Sequence, residues 1–151
     1  MPGPIRVALI VVALAANLAL SACASFPLFG PHLSERECLM RAMYFESNRS
    51  SPDGLLAVGT VVMNRVGAPG YPKTICGVVG QPGQFAAGVL TQPMRESSVA
   101  LVASVADRVL RGARHPALPY TTHFHTAGLT FPYNNMHYVL VAGGNAFYEV
   151  Y

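Results

Sequence analysis

The spacing of hydrophobic residues changes twice along the chain and divides it into three stretches. Residues 7–16, which follow one arginine, are all aliphatic or alanine. From about residue 34 to residue 111, apolar residues recur three or four positions apart, as on the buried face of a helix. Beyond residue 119, short runs are rich in aromatic and β-branched residues, which favour strands. The pattern predicts an α+β domain, with helices first and a small C-terminal β-sheet or hairpin.

Three helices have boundary signals in the sequence. The first begins at residues 34–37, where Ser and Glu form a capping box. The second is capped by Ser51 and ends at Gly67, and the third spans residues 97–111. Gly59, inside the second helix, costs about 1 kcal/mol relative to alanine. We therefore expect another backbone to pack closely against the second helix at that point.

The remaining elements are short. Residues 74–79 form an apolar turn, and residues 120–125 and 147–151 are the stretches with the strongest strand tendency. Residues 132–135, Pro-Tyr-Asn-Asn, predict a turn between the two strands. The chain has no internal repeats, so one domain of mixed secondary structure is expected.

The N-terminal segment predicts export. Residues 1–22 have the positive start and the apolar run of a secretory signal peptide. They end in Leu-Ser-Ala followed by Cys23, which resembles the lipobox of bacterial lipoproteins, where the cysteine becomes the lipidated N-terminus. A retained N-terminal anchor, or an ordinary cleavage site beside an incidental cysteine, are the alternatives.

This interpretation divides the chain into three parts. Residues 1–22 are the lipoprotein signal peptide, residues 23–33 are the lipidated cysteine and a tether rich in Pro and Gly, and residues 34–151 are the domain. Ala24 is not an aspartate, which in bacteria with two membranes is typical of delivery to the outer membrane. We expect a lipid-anchored protein at the periplasmic face of that membrane.

The charge of the chain does not favour a nucleic-acid partner. Only 11% of the residues are charged, against about 25% in an average soluble domain. The formal net charge is +3, and the basic residues are scattered instead of forming the stripe that a phosphate backbone requires. The sequence does not indicate an oligomeric state.

The cysteines fit an oxidising compartment. With Cys23 assigned to the lipid, Cys38 and Cys76 remain as an even pair in an exported chain, and a disulfide between them is predicted. Two buried free thiols are the alternative.

Glu46 is the most unusual residue of the first predicted helix. It follows Leu39, Ala42 and Met43 on the apolar stripe, at a helical spacing of i, i+3, i+4 and i+7. Charged residues are rarely buried without a partner, and burial raises the pKa of a carboxyl so that it can act as an acid. The alternative is a structural ion pair with one of three arginines, Arg41, Arg49 or Arg65.

Several segments around Glu46 resemble the cell-wall hydrolase family typified by the spore-cortex-lytic enzyme SleB (the SleB/CwlJ-like hydrolase domain). The resemblance covers most of the chain from residue 34 to residue 148. The matching segments are residues 37–46 (ECLMRAMYFE), 54–66 (GLLAVGTVVMNRV), 71–79 (YPKTICGVV), 84–85 (QF), 122–125 (THFH) and 147–148 (FY).

The resemblance implies a peptidoglycan glycosidase with a lysozyme-like helical core and Glu46 as its catalytic acid. Such an enzyme cuts the glycan strand between N-acetylmuramic acid and N-acetylglucosamine and needs no cofactor. Hydrolytic glycosidases use two carboxyl groups, and the sequence offers Glu46 no obvious partner. A lytic transglycosylase, which needs one carboxyl and leaves 1,6-anhydromuramic ends, is therefore favoured over hydrolysis.

Five further residues are candidate substrate contacts, each with packing as its alternative role. They are Tyr44, Gln84, Phe85, His123 and His125. The two histidines lie on one face of a predicted strand. With His137 or Glu46 as a third ligand they would bind zinc, and a zinc amidase is the rival enzyme. We expect no metal, because no helical His-Glu-x-x-His is present.

The chain also departs from the family pattern. Residues 47–50 replace the usual small-residue and Gly-Glu turn, residues 132–133 stand where a tryptophan is common, and residues 143–145 lack a frequent histidine. The whole chain has no tryptophan. A non-catalytic lipoprotein that binds peptidoglycan through a degenerate glycosidase fold is therefore the second interpretation.

Overall fold

The computed structural model describes residues 32–49 and 51–151. Within them lie four helices, α1 (Glu35–Glu46), α2 (Pro52–Gly67), α3 (Ile75–Val79) and α4 (Glu96–Leu110), and three strands, β1 (His123–Thr126), β2 (Met136–Ala142) and β3 (Asn145–Val150). The predicted signal peptide, Cys23 and most of the tether lie outside the described residues. No described helix has both the length and the hydropathy needed to cross a membrane.

Side-chain caps begin the first three helices. Ser34 Oγ accepts a hydrogen bond from Glu37 N at 3.1 Å, and Ser51 Oγ accepts one from Gly54 N at 3.1 Å. Thr74 Oγ1 caps α3 in the same way, so the predicted apolar turn at residues 74–79 is a short helix. These contacts satisfy backbone donors that have no partner within the helix. The predicted start of the first helix and both predicted ends of the second are confirmed, and α4 begins and ends one residue earlier than predicted.

The apolar stripes of α1, α2 and α4 meet in one core. Each helix contributes side chains that are almost fully removed from water, and burial of each such side chain stabilises the fold by roughly 1.5–3 kcal/mol. The central members are Leu39, Met43, Leu55, Val58, Val61, Val62, Val102, Val105 and Val109. The spacing of these residues is the helical pattern seen in the sequence.

A disulfide and a carboxylate hold α3 against α1. Cys38 and Cys76 form the predicted disulfide. Glu35 belongs to the first turn of α1, and its carboxylate accepts hydrogen bonds from Ile75 N at 2.5 Å and Cys76 N at 3.4 Å. A carboxylate at a helix N-terminus satisfies free N–H groups and faces the positive end of the helix dipole. The chain that leads from α3 to residue 86 is thereby fixed relative to α1.

The sheet is antiparallel, with the strand order β1-β3-β2. The pattern of the sequence predicted β1 and β3 approximately but did not predict β2. An irregularity in the pairing between Tyr138 and Leu140 shifts the register, so β2 lacks a regular alternation. Gly143 and Gly144 join β2 to β3 with φ angles of +57° and +85°. This is the backbone of a two-residue hairpin turn that glycine accommodates best.

The hairpin turn packs directly on the first turn of α2. A Cβ atom on Gly54 would lie 2.3 Å from Gly143 Cα, a separation that requires a backbone shift. The close backbone approach to α2 therefore occurs at Gly54, and the expectation that it occurs at Gly59 was wrong. At Gly59 the neighbours are side chains, Val109 at 3.0 Å and Met43 at 3.3 Å from the position of an added Cβ.

We predict that Gly54→Ala destabilises the protein, although alanine favours helices by about 1 kcal/mol. The clash with Gly143 should lower the free energy of unfolding by about 1–3 kcal/mol, as overpacking does elsewhere. Gly67→Ala is the matched control, because it lies in the same helix with open space around it. Denaturant unfolding of both variants checks the prediction, which is wrong if Gly54→Ala is as stable as Gly67→Ala.

We also predict that the double substitution Cys38→Ala and Cys76→Ala lowers the free energy of unfolding by about 4 kcal/mol. The disulfide closes a separation of 38 residues, and the chain-entropy relation gives that magnitude. Wild-type protein unfolded under reducing conditions is the control and should lose a similar amount. An unchanged unfolding midpoint in both samples would contradict a stabilising disulfide.

Candidate active site

Glu46 is the last residue of α1, and contacts from two distant segments fix it. The side chain is partly buried at the end of a stripe whose other members are fully buried. Its Oε1 accepts a hydrogen bond from the backbone N–H of Ala86 at 2.5 Å. Its main-chain carbonyl, which has no partner within the helix, accepts one from Asn145 Nδ2 at 2.5 Å. Both the backbone and the carboxyl of Glu46 are thus oriented by residues far along the chain.

The turn after Glu46 is joined to the hairpin. Asn48 N donates to the carbonyl of Gly143 at 2.7 Å, and Ser47 N donates to Met43 O at 3.2 Å. The Ser47 side chain is buried, and its Oγ lies 2.4 Å from where a Cβ on Gly143 would be. Residues 47–49, part of the segment that departs from the family pattern, therefore form the surface on which the hairpin turn rests.

Arg65 of α2 is a buried cation beside this site. Only 4% of the residue is exposed. Its Nε donates to the carbonyl of Thr122 at 2.8 Å, while Nη1 has no hydrogen-bond partner among the described residues. Its guanidinium carbon lies 5.3–5.7 Å from the ring centres of Tyr71, Phe85 and Phe124, within the range of cation–π attraction. Arg65 therefore holds α2, the loop before Ala86 and the start of β1 together.

The electrostatics of Glu46 are a balance between burial and two opposing contacts. Burial raises the pKa of the Glu46 carboxyl above its ordinary value, while the Ala86 N–H and the charge of Arg65 act in the opposite direction. Burial likewise lowers the pKa of Arg65, although a guanidinium stays charged at any physiological pH. The result is a carboxyl whose protonated form is favoured beside a permanent positive charge.

The alternative that Glu46 serves a structural ion pair is not supported by the described contacts. Arg41 instead pairs with Glu37 at 3.1 Å, and the Arg49 guanidinium carbon lies 4.6 Å from the centre of the Tyr44 ring. Among the described residues, no arginine approaches the Glu46 carboxylate within salt-bridge distance. Arg65 acts on it only through its field.

Two of the predicted substrate contacts lie near Arg65. Phe85 directly precedes Ala86, and its ring is 5.3 Å from the Arg65 guanidinium carbon. His123 follows Thr122, the residue that binds Arg65 Nε, and burial together with the Arg65 charge lowers the pKa of His123. Gln84 is exposed in the same loop, and its N–H donates to Gln81 O at 3.3 Å.

The other two predicted contacts have partners elsewhere. Tyr44 is 2% exposed, and its hydroxyl accepts a hydrogen bond from Arg95 N at 2.7 Å. Because residues two apart on a helix do not face each other, Tyr44 points away from Glu46. His125 Nε2 lies 2.8 Å from the Tyr138 hydroxyl and Nδ1 lies 2.8 Å from Thr126 O, which places it in an aromatic cluster on the sheet.

Two residues that hold the site, Arg65 and Asn145, received no such role from the sequence, where Arg65 was considered only as one possible ion-pair partner of Glu46. Arg65 lies three, four and seven positions after core valines of α2, so it occupies a buried stripe just as Glu46 does. The signal that identified Glu46 was therefore also present for Arg65. Asn145 follows two glycines at the start of a strand, a position where nothing in the local sequence reveals a contact with a residue 99 positions earlier.

The described residues give the zinc alternative no support. Among them, no three His, Cys, Asp or Glu side chains are grouped so that they could hold a metal ion. His137 packs its ring against Tyr151, with 4.7 Å between ring centres. It also neighbours Tyr138 on β2 and therefore faces the other side of the sheet from His125.

Most other acidic side chains are engaged elsewhere. Of the six acidic residues besides Glu46, five have side chains that the structure describes, and each has a polar partner. Glu35 caps α3, Glu37 pairs with Arg41, Asp53 contacts His115, Asp107 pairs with Arg36, and Glu149 accepts hydrogen bonds from Thr121 and Tyr151. Glu46 is the one described carboxyl that is partly buried without a charged or side-chain partner.

Known proteins resemble the chain in sequence pattern and in fold. The sequence model of the cell wall hydrolase family matches residues 49–148. The catalytic domain of the germination-specific lytic transglycosylase SleB from Bacillus anthracis is 20% identical, with a TM-score of 0.63 over 80% of this chain and 98% of that chain. The SleB catalytic domain from Bacillus cereus is 19% identical, with a TM-score of 0.57 over 80% and 94%. A search of curated proteins finds no match.

The likeness to these structures confirms the predicted architecture, an α+β domain with a lysozyme-like helical core. The family match begins three residues after Glu46. Ala86 and Asn145, which bind the side chain and the carbonyl of Glu46, both lie inside the matched residues.

We predict that Glu46→Gln stabilises the protein at neutral pH and that its advantage shrinks as the pH falls. The folded carboxyl has a raised pKa, so the folded state binds more protons than the unfolded state between the two pKa values. Wild-type stability therefore falls as the pH rises through that window, whereas a neutral amide escapes the loss. Thermal unfolding at pH 7 and pH 4 measures the difference, with Glu37→Gln, a partly exposed glutamate in the first turn of the same helix, as the control. An advantage that is equal at both pH values would contradict this account of Glu46.

Proposed function

The chain belongs to the cell wall hydrolase family, and on that premise we propose that it cleaves the glycan strand of peptidoglycan as a lytic transglycosylase. The bond cut is the one between N-acetylmuramic acid and N-acetylglucosamine. Glu46 is the single catalytic carboxyl, acting first as an acid and then as a base. The reaction leaves 1,6-anhydromuramic ends and consumes no water.

The observation that carries this proposal is the isolation of the Glu46 carboxyl. It is partly buried, it accepts one backbone hydrogen bond, and its pKa is raised by burial. A carboxyl in that setting holds a proton that it can give to a leaving group. The five other described acidic side chains have structural partners, which favours a reaction that needs one carboxyl over one that needs two.

The chemistry requires two proton transfers at the same group. As the bond between muramic C1 and the glycosidic oxygen breaks, the Glu46 O–H gives its proton to that oxygen, and N-acetylglucosamine leaves with a free 4-hydroxyl. The Glu46 carboxylate then takes the proton of the muramic 6-hydroxyl while O6 forms a bond to C1. The carboxyl returns to its protonated state, so atoms and charge balance over the cycle.

The surrounding residues suit this sequence of steps. Ala86 N–H occupies Oε1, while Oε2 has no hydrogen-bond partner among the described residues and can carry the proton toward the substrate. The fixed charge of Arg65 stabilises the carboxylate that exists between the two transfers, because a nearby cation favours an anion in a partly dry site. Phe85 and His123 border Arg65 and are the residues we assign to the sugar nearest the cleaved bond, with Gln84 supplying an amide from the adjacent loop.

The cellular location completes the proposal. Lipidation at Cys23 would hold the domain at the periplasmic face of the outer membrane, and a tether of ten residues would keep it within about 35 Å of that surface. Peptidoglycan lies in the same compartment. Support for this part comes from the lipobox-like residues and from the disulfide, which suits an oxidising space.

We predict that the wild-type chain releases anhydromuropeptides from purified peptidoglycan and that Glu46→Gln lowers their release by at least about a hundredfold, the usual minimum for loss of a general acid. Glu149→Gln is the matched control, because Glu149 is the sheet's one acidic residue and is held by Thr121 and Tyr151. It should keep full activity. Mass spectrometry of the soluble products provides the measurement.

Other products would identify other functions. Reducing muramic ends would indicate hydrolysis, and a parallel loss in Glu149→Gln would identify the second carboxyl. Free stem peptides that disappear with EDTA would indicate a zinc amidase. If wild type and Glu46→Gln both pellet with the wall and release nothing, the chain is a peptidoglycan-binding lipoprotein and the proposed catalysis is wrong.

A further inference from the structure

One face of the sheet is lined with aromatic rings. His123 pairs with Tyr148 across β1 and β3, and Tyr138 pairs with Tyr148 across β2 and β3. Directly paired residues of an antiparallel sheet share a face, and His125, two positions after His123, shares it too. Ring centres on this face are 5.3–5.7 Å apart. Hydrogen bonding between His125 Nε2 and the Tyr138 hydroxyl fixes two of the rings.

The loop before β2 extends this aromatic surface into solvent. The Phe131 ring lies edge-on to His125, with 4.8 Å between centres. Tyr133 stacks parallel to Phe131, at an interplanar angle of 10° and a distance of 6.3 Å. Phe131 is 42% exposed and Tyr133 is 66% exposed, so both rings present area to solvent. We call His123, Tyr148, His125, Phe131 and Tyr133 the aromatic track.

The inner end of the aromatic track lies near Arg65. His123 follows Thr122, whose carbonyl binds Arg65, and the charge of Arg65 acts on both His123 and Tyr148. From His123 outward, successive ring centres are separated by 5.3, 5.6, 4.8 and 6.3 Å. The track therefore leads from the vicinity of Arg65 to the exposed loop, over a distance greater than one sugar ring.

The chemistry of this region favours a neutral, hydroxylated ligand. Residues 115–148 contain no Asp, Glu, Lys or Arg, an unbroken neutral stretch that makes up much of the C-terminal half. Aromatic faces carry negative charge density and attract the C–H groups on the flat face of a sugar, while tyrosine hydroxyls and imidazole nitrogens can bond its hydroxyl groups. Residues 115–148 themselves offer a polyanion no lysine or arginine.

We propose that the aromatic track binds consecutive sugars of the glycan strand beyond the pair that is cleaved, with Phe131 and Tyr133 as its outermost platform. This inference rests on the proposed function for the identity of the glycan, although binding along the track does not require turnover. The chain has no tryptophan, and the parallel rings of Phe131 and Tyr133 provide the flat aromatic surface for a sugar that an indole would otherwise provide. The track would make the enzyme prefer long strands over short ones.

The test measures binding in the absence of cleavage. The full chain carrying Glu46→Gln is titrated with β-1,4-linked N-acetylglucosamine dimer and hexamer, which share the glycan backbone, by calorimetry. The hexamer should bind more tightly than the dimer. Phe131→Ala or Tyr133→Ala should weaken hexamer binding by roughly threefold to tenfold, the range expected for loss of one aromatic contact, and leave dimer binding unchanged. Tyr133→Phe, which keeps the ring, should restore it.

An exposed apolar residue away from the sheet serves as the control. Leu110 is the last residue of α4 and is 42% exposed, the same fraction as Phe131. Leu110→Ala should leave hexamer binding unchanged. Equal weakening by the control and by Tyr133→Ala, or no dependence on chain length, would overturn the proposal.

The rival occupant of an exposed apolar loop is a lipid surface. If Phe131→Ala and Tyr133→Ala weaken binding to phosphatidylethanolamine–phosphatidylglycerol vesicles but leave hexamer binding intact, the track is a membrane contact and the inference is wrong. The experiments distinguish failure of this inference from failure of the proposed function. A chain that releases anhydromuropeptides but shows no track-dependent binding loses only the inference, and one that binds the hexamer without releasing products loses only the catalysis.

Discussion

The contact between the β2–β3 hairpin turn and the end of α1 is the constraint on which the site depends. A helix leaves its last carbonyls without partners inside the helix, and its end is therefore prone to fray. In this protein, Asn145 binds the Glu46 carbonyl and Gly143 accepts from Asn48 N–H, so the hairpin completes the helix end. The contact is possible only because Gly54 and Gly143 have no side chains. The sheet thus fixes the end of α1 at Glu46, the residue that we propose as the catalytic acid.

Separate contacts hold the Glu46 carboxyl and the Arg65 guanidinium, so the two groups lie in the same small core without forming a salt bridge. A direct salt bridge between Glu46 and Arg65 would satisfy both charges, lower the pKa of Glu46 and favour its ionised form. The Ala86 N–H holds Glu46 Oε1 instead, and three aromatic rings with the Thr122 carbonyl hold Arg65. Glu46 and Arg65 are therefore each held by a separate set of contacts. Glu46 is left with burial as the strongest influence on its pKa and with Arg65 as a moderating field.

The local parts of this arrangement could be predicted from the sequence, and the long-range parts could not. Helix caps at Ser34 and Ser51 depend on neighbours within three residues, and the position of Glu46 on a buried stripe depends on helical spacing. By contrast, β2 has an irregular pairing that hides its alternation, and the contact of Asn145 with Glu46 joins residues 99 positions apart. Tyr44 is close to Glu46 along the chain, but its hydroxyl accepts a hydrogen bond from Arg95 N, a contact that the local sequence did not indicate.

Two departures from the family pattern, in the turn after Glu46 and in the β2–β3 hairpin, are in contact with each other. Ser47 is small and buried where the hairpin turn comes closest, and Gly143 would clash with it if it carried a Cβ. Asn145, at a position where the family often has histidine nearby, provides the amide that holds the Glu46 carbonyl. A change in the turn after the proposed acid and a change in the hairpin are therefore two sides of one interface. Ala86, Gly143 and Asn145 all lie within residues 49–148, the part of the chain that matches the family. Glu46 lies three residues before that part, and contacts from these residues hold it and the turn that follows it.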